Sequence, residues 1–462
     1  MPISAAAKSG AEDFSLKFFK FRWKNPAKEV ILFTVCSFYF KESILEQYCE
    51  STRKIPVKGE YDIIVCGGGP AGVAAALAAA RQGASVMLIE RNQCCGGIWT
   101  SGAMPWVLDH KNKCGILAEI RELSLKRGGV IHVSGSLSCP PEPLKLLLEE
   151  LLLKAGVRIR YGTLITGVHL EDNRITHIVT ESKSGAEAWA AKRFIDCTGD
   201  GDLGALAGCS FEFGGPDGNT QPSSFIGIVC GLDPVAVQDF LAPHGGKPRL
   251  KELMESHGIF PTYGMPSLFH FGQGIFGLMS NHGYKVNAID ADNLTAKVLE
   301  GRKELHAHVA FLRSLGGIWS NIALAGSSDN LGVREGRRLK GMEYVDWRHL
   351  GSGGRCDNAV CRATFCVDVH APDPSKGNVI ADQKVQTKPY DIPWGALVSA
   401  ERENLLMAGR CISGDFIAHS SYRVTGDAVP MGEAAGIGAA ISVRENILPS
   451  QVKGVPFFSV EQ

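Results

Sequence analysis

The sequence predicts an α/β fold in which a parallel sheet carrying helices is interrupted by an inserted α+β region. Three observations indicate this fold. An apolar strand, a glycine-rich turn and an alanine-rich helix follow one another from residue 62, short alternating strands run from residue 157, and a buried strand with a second small-residue helix follows residue 404. Because parallel strands need a crossover element between them, this order is typical of a parallel sheet that the chain leaves and rejoins.

The first unit consists of a strand over Asp62–Cys66, a helix over Ala71–Gln82 and a strand over Ser85–Ile89. It has the length of one β-α-β crossover, about 30 residues. Alternating apolar residues then predict a small β-meander. The later predicted elements are a helix over Leu144–Lys154, strands over Val157–Tyr161, Leu164–Leu170, Arg174–Glu181, Phe194–Cys197 and Asn404–Ala408, and helices over Ala291–Leu315 and Val429–Val443.

This order divides the chain into five regions. From about residue 211 the β-α-β rhythm is lost, and it returns only near the closing strand, so we expect a discontinuous nucleotide-binding domain with a substrate domain inserted in it. The predicted regions are an N-terminal extension (1–54), the first part of the nucleotide-binding domain (55–210), the inserted substrate domain (211–386), the closing strand and helix (387–450) and a tail (451–462).

A glycine-rich turn joins the first strand to the first helix. It reads GGGPAG and fits G-x-G-x-x-G, whose glycines permit a tight turn, close approach to a pyrophosphate and close helix–strand packing. The free N–H groups at the helix start favour phosphate. Glu90 ends the second strand 18 residues after the turn, near the spacing at which a carboxylate meets ribose hydroxyls. The predicted contacts of this phosphate loop are Gly67, Gly69, Pro70, Ala71 and Gly72.

A second match to the same pattern, GQGIFG at residues 272–277, lacks the supporting context. No alanine-rich helix follows it, and no acidic residue ends a second strand at the required distance. It is therefore predicted to be an ordinary turn, which leaves one valid dinucleotide loop.

Two later segments resemble the second half of the FAD domain in glutathione-reductase-like flavoproteins. The short strands lead into IDCTGDGDLGALAG, in which Cys197-Thr198-Gly199 is similar to a turn that touches the cofactor in that group. The run LMAGR, followed by HSSYRVTGDAVPMGEAAGIGAA, is similar to the closing segment of the same domain. There a strand delivers a turn to the flavin ribityl chain, and a helix N-terminus points at the pyrimidine end of the flavin.

Over residues 56 to 445 the chain resembles the broad family of FAD-dependent oxidoreductases related to the fumarate reductase and succinate dehydrogenase flavoproteins. The resemblance implies a Rossmann-type domain with FAD as cofactor. Arg410 stands where glutamate is usual and HSSYR replaces H-G-x-N-R, so the dicarboxylate substrate does not carry over. Beyond the phosphate loop, the implied cofactor contacts are Glu90, Arg91, Gly97, Val168, Thr198, Gly199, Gly409 and Arg410.

The HSSYR segment gives the first catalytic candidates. In the resembling family the arginine of this segment binds substrate beside the flavin and relays a proton, which implies that role for Arg423 with His419 nearby. The alternative is that both residues only hold the closing segment together.

Other cationic residues and histidines are weaker candidates. Arg334, Arg337 and Arg338 form a cluster that is predicted either to face an anionic substrate or to lie on a solvated helix face. His282 and His370 are interpreted as structural histidines.

The 14 cysteines are scattered through a long chain and include no CxxC pair. This pattern favours reduced thiols and a cytoplasmic location. The spacing of Cys356, Cys361, Cys366 and His370 matches no zinc template, so we predict a buried strand there and no metal. Cys94 and Cys95 precede the Gly96-Gly97 turn, whereas disulfide reductases place their pair after it, so a redox dithiol is not expected.

Charge and hydropathy give no support for nucleic acid or a spanning membrane segment. The formal net charge is zero, which gives no electrostatic reason for nucleic acid or an anionic membrane. The apolar run at residues 30–40 is 11 residues long, too short to span a bilayer. The expected partner is a small-molecule substrate, and an electron-transfer partner or a homo-oligomer remains open.

The leading hypothesis is a dehydrogenase or reductase that moves a hydride between substrate and flavin. Two alternatives stay open. The first is a flavin monooxygenase, because GDAVPMGEAAG is loosely similar to the closing motif of that group. The second is a non-catalytic flavin-carrying subunit whose electrons leave through a partner, since no iron–sulfur motif is present.

Overall fold

The structure is a computed structural model that describes residues 50–132, 134–242, 247–373 and 385–460. Residues up to Arg53 form a unit separate from Lys54–Gln462, and of that first unit only residues 50–53 are described. The predictions for residues 1–49, including the apolar run at 30–40, lie outside the described residues. None of the helices within the described ranges is both long and apolar enough to cross a membrane.

The described residues form strands and helices that alternate along most of the chain. The strands are β1 (Val57–Cys66), β2 (Val86–Ile89), β3 (Trp106–Val107), β4 (Val130–Ile131), β5 (Leu137–Ser138), β6 (Arg158–Arg160), β7 (Leu164–Glu171), β8 (Arg174–Ser182), β9 (Gly185–Asp196), β10 (Phe211–Glu212), β11 (Gly227–Cys230), β12 (Ser267–Gly272), β13 (Ile275–Met279), β14 (Ala323–Ser327), β15 (Arg338–Leu339), β16 (Ala359–Ala363), β17 (Tyr390–Pro393) and β18 (Leu405–Met407). The helices are α1 (Pro70–Arg81), α2 (Gly115–Lys126), α3 (Pro141–Lys154), α4 (Asp202–Leu206), α5 (Pro234–Leu241), α6 (Lys247–Ser256), α7 (Ala291–Ser314), α8 (Trp347–Ser352), α9 (Phe416–Tyr422) and α10 (Thr425–Arg444).

The main sheet confirms the predicted α/β class. Strands β6, β2, β1, β9 and β18 lie side by side and run parallel. The long strand β9 serves two neighbours on one side: its first residues pair antiparallel with β8, and Phe194–Asp196 pair in parallel with β18. This arrangement attaches the predicted meander, β7 and β8, to the same sheet.

Two small-residue helices pack directly on each other beside this sheet. A side chain at Gly432 of α10 would lie 2.0 Å from the carbonyl oxygen of Ala71, and one at Gly436 would lie 2.2 Å from that of Ala75. Glycine at both positions lets the backbones of α1 and α10 approach to direct contact. The closing helix is thereby fixed against the helix that follows the glycine-rich turn.

The α10 helix begins earlier than the sequence predicts. The predicted start at Val429 precedes Pro430, as is usual for proline in the first turn of a helix, but the helix starts at Thr425 and includes Pro430. Packing on α1 outweighs the helix-breaking tendency of an internal proline.

The inserted region has its own core. Strands β12, β13, β11 and β14 form an antiparallel sheet, and α7 packs on it through Leu305, Val309 and Leu312. The rejected GQGIFG motif is the turn between β12 and β13, as predicted. The buried apolar side chains between residues 339 and 369 belong instead to the core of the parallel sheet. Strand β16, which precedes the predicted boundary at 386, pairs with β17, which follows it. The division at 386 and 387 therefore stays a prediction.

Candidate functional site

The glycine-rich turn after β1 has the shape that its sequence requires. Gly67 has φ of +97°, and a side chain there would lie 2.4 Å from the carbonyl oxygen of Cys197. A side chain at Gly72 would lie 1.8 Å from the carbonyl oxygen of Gly67. At Gly69, by contrast, an added Cβ meets nothing within 4 Å. Two glycines are therefore needed to close the turn, whereas the third leaves open space on the side where a phosphate approaches.

The start of α1 faces this open space. Pro70 is its first residue, and no side chain of the described ranges caps it. The uncapped N–H groups of the first turn, including those of Ala71 and Gly72, carry the partial positive charge of the helix. This arrangement fits a diphosphate.

Glu90 ends β2 beside the turn and is 6% exposed. Its Oε2 accepts a hydrogen bond from the Gly68 N–H at 2.6 Å, and its Oε1 accepts from the Asn92 N–H at 2.8 Å. The carboxylate therefore lies next to the phosphate loop, as the spacing predicts. Its contact with a ribose stays a prediction.

The Gly96-Gly97 turn packs on the phosphate loop. The Gly96 N–H donates to the Gly68 carbonyl oxygen at 2.8 Å, and a side chain at Gly97 would lie 2.9 Å from the Gly69 Cα. Of two other implied contacts, Arg91 is exposed after β2 and Val168 is half-buried on β7, and their contact with the cofactor stays a prediction.

The turn after β9 is held by the buried carboxylate of Asp196. Its Oδ1 accepts from the N–H of Thr198 at 3.0 Å and from the hydroxyl of Thr198 at 2.7 Å, and its Oδ2 accepts from the Gly204 N–H at 2.9 Å. Gly199 has φ of +80°, and a side chain there would lie 2.5 Å from Nη2 of Arg410.

The turn after β18 completes the same surface. A side chain at Gly409 would lie 3.2 Å from the Cβ of Ala71, at the start of α1. The Arg410 guanidinium donates to Asp200 Oδ1 at 3.0 Å and to the Val333 carbonyl oxygen at 2.6 Å. The three segments that the resemblance assigns to the cofactor thus converge at the carboxyl ends of the parallel strands, where ligands bind in open α/β sheets.

A buried polar cluster surrounds Arg423. Its Nη2 donates to the Asp368 carbonyl oxygen at 2.8 Å and lies 3.4 Å from Oδ2 of the same residue. It also lies 3.4 Å from Oε1 of Gln221, which accepts from the His370 N–H at 2.9 Å. Burial would raise the pKa of the Asp368 carboxyl, but His370 and the charges of Arg423 and Arg334 hold it below its ordinary value.

Two histidines and a tyrosine extend this cluster. The His282 ring lies 4.2 Å from that of Tyr263 and 5.2 Å from that of His370, measured between centroids. Nε2 of His370 lies 3.4 Å from Asp368 Oδ2. Burial and the charge of Arg334 lower the pKa of His370 to about 4 and lower that of His282 as well, so both rings are neutral near pH 7.

Several polar atoms of the cluster have no hydrogen-bond partner among the described residues. Such atoms are costly in a buried environment unless a ligand or water satisfies them. They are Nδ1 and Nε2 of His282, Nδ1 of His370, Nε of Arg423 and Oδ1 of Asp368.

The His419 ring has no hydrogen-bond partner among the described residues, and only its backbone carbonyl oxygen joins the group, by accepting from the Arg423 N–H at 3.1 Å. Its side chain is fully buried, and its ring lies edge-on to Tyr422 at 5.6 Å between centroids. Burial and the charges of Arg338, Arg423 and Arg410 hold the pKa of His419 well below its usual value. The catalytic assignment of His419 stays a prediction.

The three arginines of VREGRR point to different places. Arg334 donates to Ser224 Oγ at 3.2 Å and lies in the cluster. Arg337 pairs with Asp202 at 2.9 Å, and Arg338 donates to the Gly414 carbonyl oxygen at 3.0 Å. The solvated-helix alternative is wrong, because this segment forms no helix and Arg338 begins β15.

Sequence reasoning missed three members of the cluster, Gln221, Tyr263 and Asp368. Each stands outside any motif, and they are brought together by contacts across more than 100 residues of sequence. The one local signal was VDVHAPD, in which Asp368 precedes His370 by two positions.

The thiols next to the cofactor surface are buried and protonated. Burial raises the pKa of Cys94, and it raises the pKa of Cys95 to about 12. A thiolate nucleophile is therefore disfavoured at both positions. Along the other cysteine run, Cys361 is buried in β16 whereas Cys366 is exposed. Within the described ranges, no group of three or more His, Cys, Asp or Glu side chains could hold a metal ion.

A parallel sheet that ends in a glycine-rich phosphate loop, with two further turns meeting it, defines a dinucleotide-binding α/β protein. Within that class, the chain belongs to the FAD-dependent oxidoreductase family, whose model matches residues 62–460. FAD is accordingly its cofactor.

Individual relatives are more distant. The chain is 27% identical over 153 residues to the digeranylgeranylglycerophospholipid reductase of Methanocella arvoryzae, covering 30% of this chain and 39% of that protein. It is 28% identical over 152 residues to the thiamine thiazole synthase of Methanococcus vannielii, covering 30% of this chain and 56% of that protein. The chain thus spans about half or less of the length of these relatives. Among solved structures, p-nitrophenol 4-monooxygenase PnpA of Pseudomonas putida is similar at 12% identity, covering 84% of this chain and 82% of that one, with a TM-score of 0.47.

Proposed function

We propose that this protein is a dehydrogenase or reductase that moves a hydride between a small-molecule substrate and FAD, with the substrate held at Arg423. When bound, FAD supplies a ring that takes up or gives two electrons as a hydride. One observation carries the proposal: contacts run from Gly199 through Arg410 to Val333, the residue before Arg334. The turn assigned to the cofactor and the buried polar cluster are therefore adjacent.

Residues of the buried polar cluster would bind and orient the substrate. Arg423 and Arg334 bind and orient a polar group of the substrate, because their guanidinium groups are the strongest hydrogen-bond donors of the cluster. The contact between His370 Nε2 and Asp368 Oδ2 favours the tautomer with its proton on Nε2. Nδ1 of His370 is then a buried acceptor without a partner among the described residues, suited to accept a hydrogen bond from a substrate hydroxyl or amine.

The cofactor contacts are proposed on the same basis. The first turn of α1 would bind the diphosphate, Glu90 the adenosine ribose, and the turns at Thr198-Gly199 and Gly409-Arg410 the rest of the FAD. Support comes from the open space at Gly69 and from the convergence of these turns.

The test compares Arg423→Gln and Arg423→Lys with the wild-type holoenzyme. Compounds are first screened anaerobically for bleaching of the flavin absorbance. With an active compound, Arg423→Gln should slow bleaching about 10- to 100-fold, the value of a lost charge-assisted hydrogen bond. Arg423→Lys should recover part of the rate. Arg348→Gln, at a site whose side chain is 74% exposed, controls for loss of one positive charge.

Flavin content and unfolding temperature must stay near wild-type values in each variant, so that a slow rate reports on the substrate. Equal bleaching rates in wild type and Arg423→Gln would refute the role of Arg423. If no compound bleaches the flavin and oxygen is consumed together with NAD(P)H, the protein is a monooxygenase instead.

A further inference from the structure

Resting on the proposed function, we infer that the substrate is an organic monocarboxylate: one carboxylate on an apolar body. The carboxylate would lie between Arg334 and Arg423, and the apolar body would pack against a methionine-rich group of side chains beside Tyr263. Charge, unpaired polar atoms and apolar packing support this inference separately.

The charges of the cluster do not balance. Arg334 and Arg423 bring two positive charges, and Asp368 brings one negative charge. Glu335 accepts a hydrogen bond from the Gln221 N–H and acts on Arg423 as well as on Arg338, which lies 3.8 Å away, so Glu335 and Arg338 together add no net charge to the cluster. Because the neutral histidines add no charge, one positive charge is left over. A buried charge without a partner is unfavourable, and one bound carboxylate would offset it.

The cluster contains buried N–H donors without partners among the described residues, and one carboxylate could accept from them. Nε of Arg423 is a donor without a partner among the described residues. Neutral His282 carries one ring N–H, which also has no partner among them. A carboxylate offers two oxygens and about four acceptor sites, enough for both donors.

The apolar side of the site is a separate small core. Its buried members are Ala103, Ile226, Tyr263 and Met279, and Met104, Ile228, Met265 and Phe269 are partly buried against them. Methionine side chains are unbranched and adjust to irregular apolar ligands. Tyr263 belongs to both sides, because its ring also stacks near His282.

The experiment titrates the FAD-loaded protein with acetate, hexanoate, hexanamide and adipate. Binding is measured by the flavin difference spectrum and independently by calorimetry. Hexanoate should bind more tightly than acetate, by about four-fold for each buried methylene. Hexanamide, which lacks the charge, should bind about 10- to 100-fold more weakly than hexanoate. Adipate, with a second charge placed on the apolar side, should also bind more weakly than hexanoate.

Two variants assign the charge dependence to the site. Arg334→Gln should weaken hexanoate about 10- to 100-fold and leave hexanamide nearly unchanged, whereas Arg334→Lys should retain much of the affinity. Arg348→Gln serves as the exposed control. Since binding is read directly, a variant that keeps its flavin and unfolding temperature remains informative without turnover.

Equal affinity for hexanamide and hexanoate, adipate binding as tightly as hexanoate, or no binding of any carboxylate would overturn the inference. Such a result leaves the proposed function standing if a neutral compound still bleaches the flavin. Conversely, charge-dependent binding without bleaching by any compound would contradict the proposed function but support the monocarboxylate site.

Discussion

Replacing Gly69 by alanine separates folding from cofactor binding at the phosphate loop. Gly69 has φ of −69° and ψ of −174°, a conformation open to alanine, and an added Cβ meets no atom within 4 Å. Without FAD the variant should be more stable than wild type by about 0.4–1 kcal/mol, because alanine restricts the unfolded chain. With FAD the same methyl group would occupy the space that the diphosphate approaches.

The expected loss of FAD affinity follows from overpacking. Forcing one extra methyl group into a filled site costs about 1–3 kcal/mol, which corresponds to about 5- to 150-fold in Kd. Gly72→Ala is the contrasting variant. Its Cβ would lie 1.8 Å from the Gly67 carbonyl oxygen, far closer than the 3.4 Å at which ordinary van der Waals contact begins. It should therefore destabilise the protein with or without FAD.

The assay prepares apoprotein, measures its unfolding free energy in urea, and then titrates FAD by fluorescence quenching. Gly326→Ala is the matched control, because an added Cβ there also meets no atom within 4 Å and Gly326 lies on β14, outside the loop. Wild-type FAD affinity in Gly69→Ala would refute the placement of the diphosphate, and a strongly destabilised apoprotein would refute the open geometry of Gly69.

Three further predictions concern stability. Burial raises the pKa of Glu433 to about 7, so the folded state binds this proton more tightly than the unfolded state does, and stability is lost as pH rises from 4.5 through 7. Glu433→Gln should therefore be more stable than wild type at pH 8, by up to about 3 kcal/mol in urea unfolding, and the gain should be much smaller at pH 5. Lys113→Met leaves the buried Asp109 and Asp427, which lie 3.1 and 3.0 Å from Nζ, without their cation and should lower the unfolding free energy by about 3–5 kcal/mol. Asp290→Ala removes the N-cap of α7 and should lower it by about 1 kcal/mol.

Each of these predictions has a contradicting result. A pH-independent effect of Glu433→Gln would mean that the carboxyl does not hold its proton in the folded state near pH 6. A Lys113→Met variant of wild-type stability would mean that solvent reaches the two carboxylates. An Asp290→Asn variant, which keeps a capping side chain, should remain close to wild type, and equal losses in both variants would contradict the capping argument.

The residues that the sequence predicted well are those with local backbone requirements. Gly67 needs a positive φ, and Gly72 has no room for a side chain, so the phosphate loop is visible within a few residues. The β-α-β order around it is equally local, and the parallel sheet confirms it. Helix ends were less accurate: α10 starts four residues before the predicted Val429, because its packing on α1 is a tertiary contact.

The buried polar cluster around Arg423 shows the opposite case. Gln221, Tyr263, His282, Asp368 and Arg423 come from five separate segments that meet only when the inserted sheet folds against the closing segment. The sequence favours a structural role for His282 and His370, because a lone histidine carries no local signal of function. Their unpaired nitrogens became visible only from the distances to their neighbours.

The sequence by itself determined the α/β class and the phosphate loop, because these depend on backbone geometry that a few neighbouring residues impose. Its resemblance to known flavoproteins indicated the FAD family. The tertiary structure decided which polar side chains share a buried environment, and so which of them have lost their hydrogen-bond partners. Burial and pairing arise from contacts between distant segments, and no short stretch of sequence encodes them.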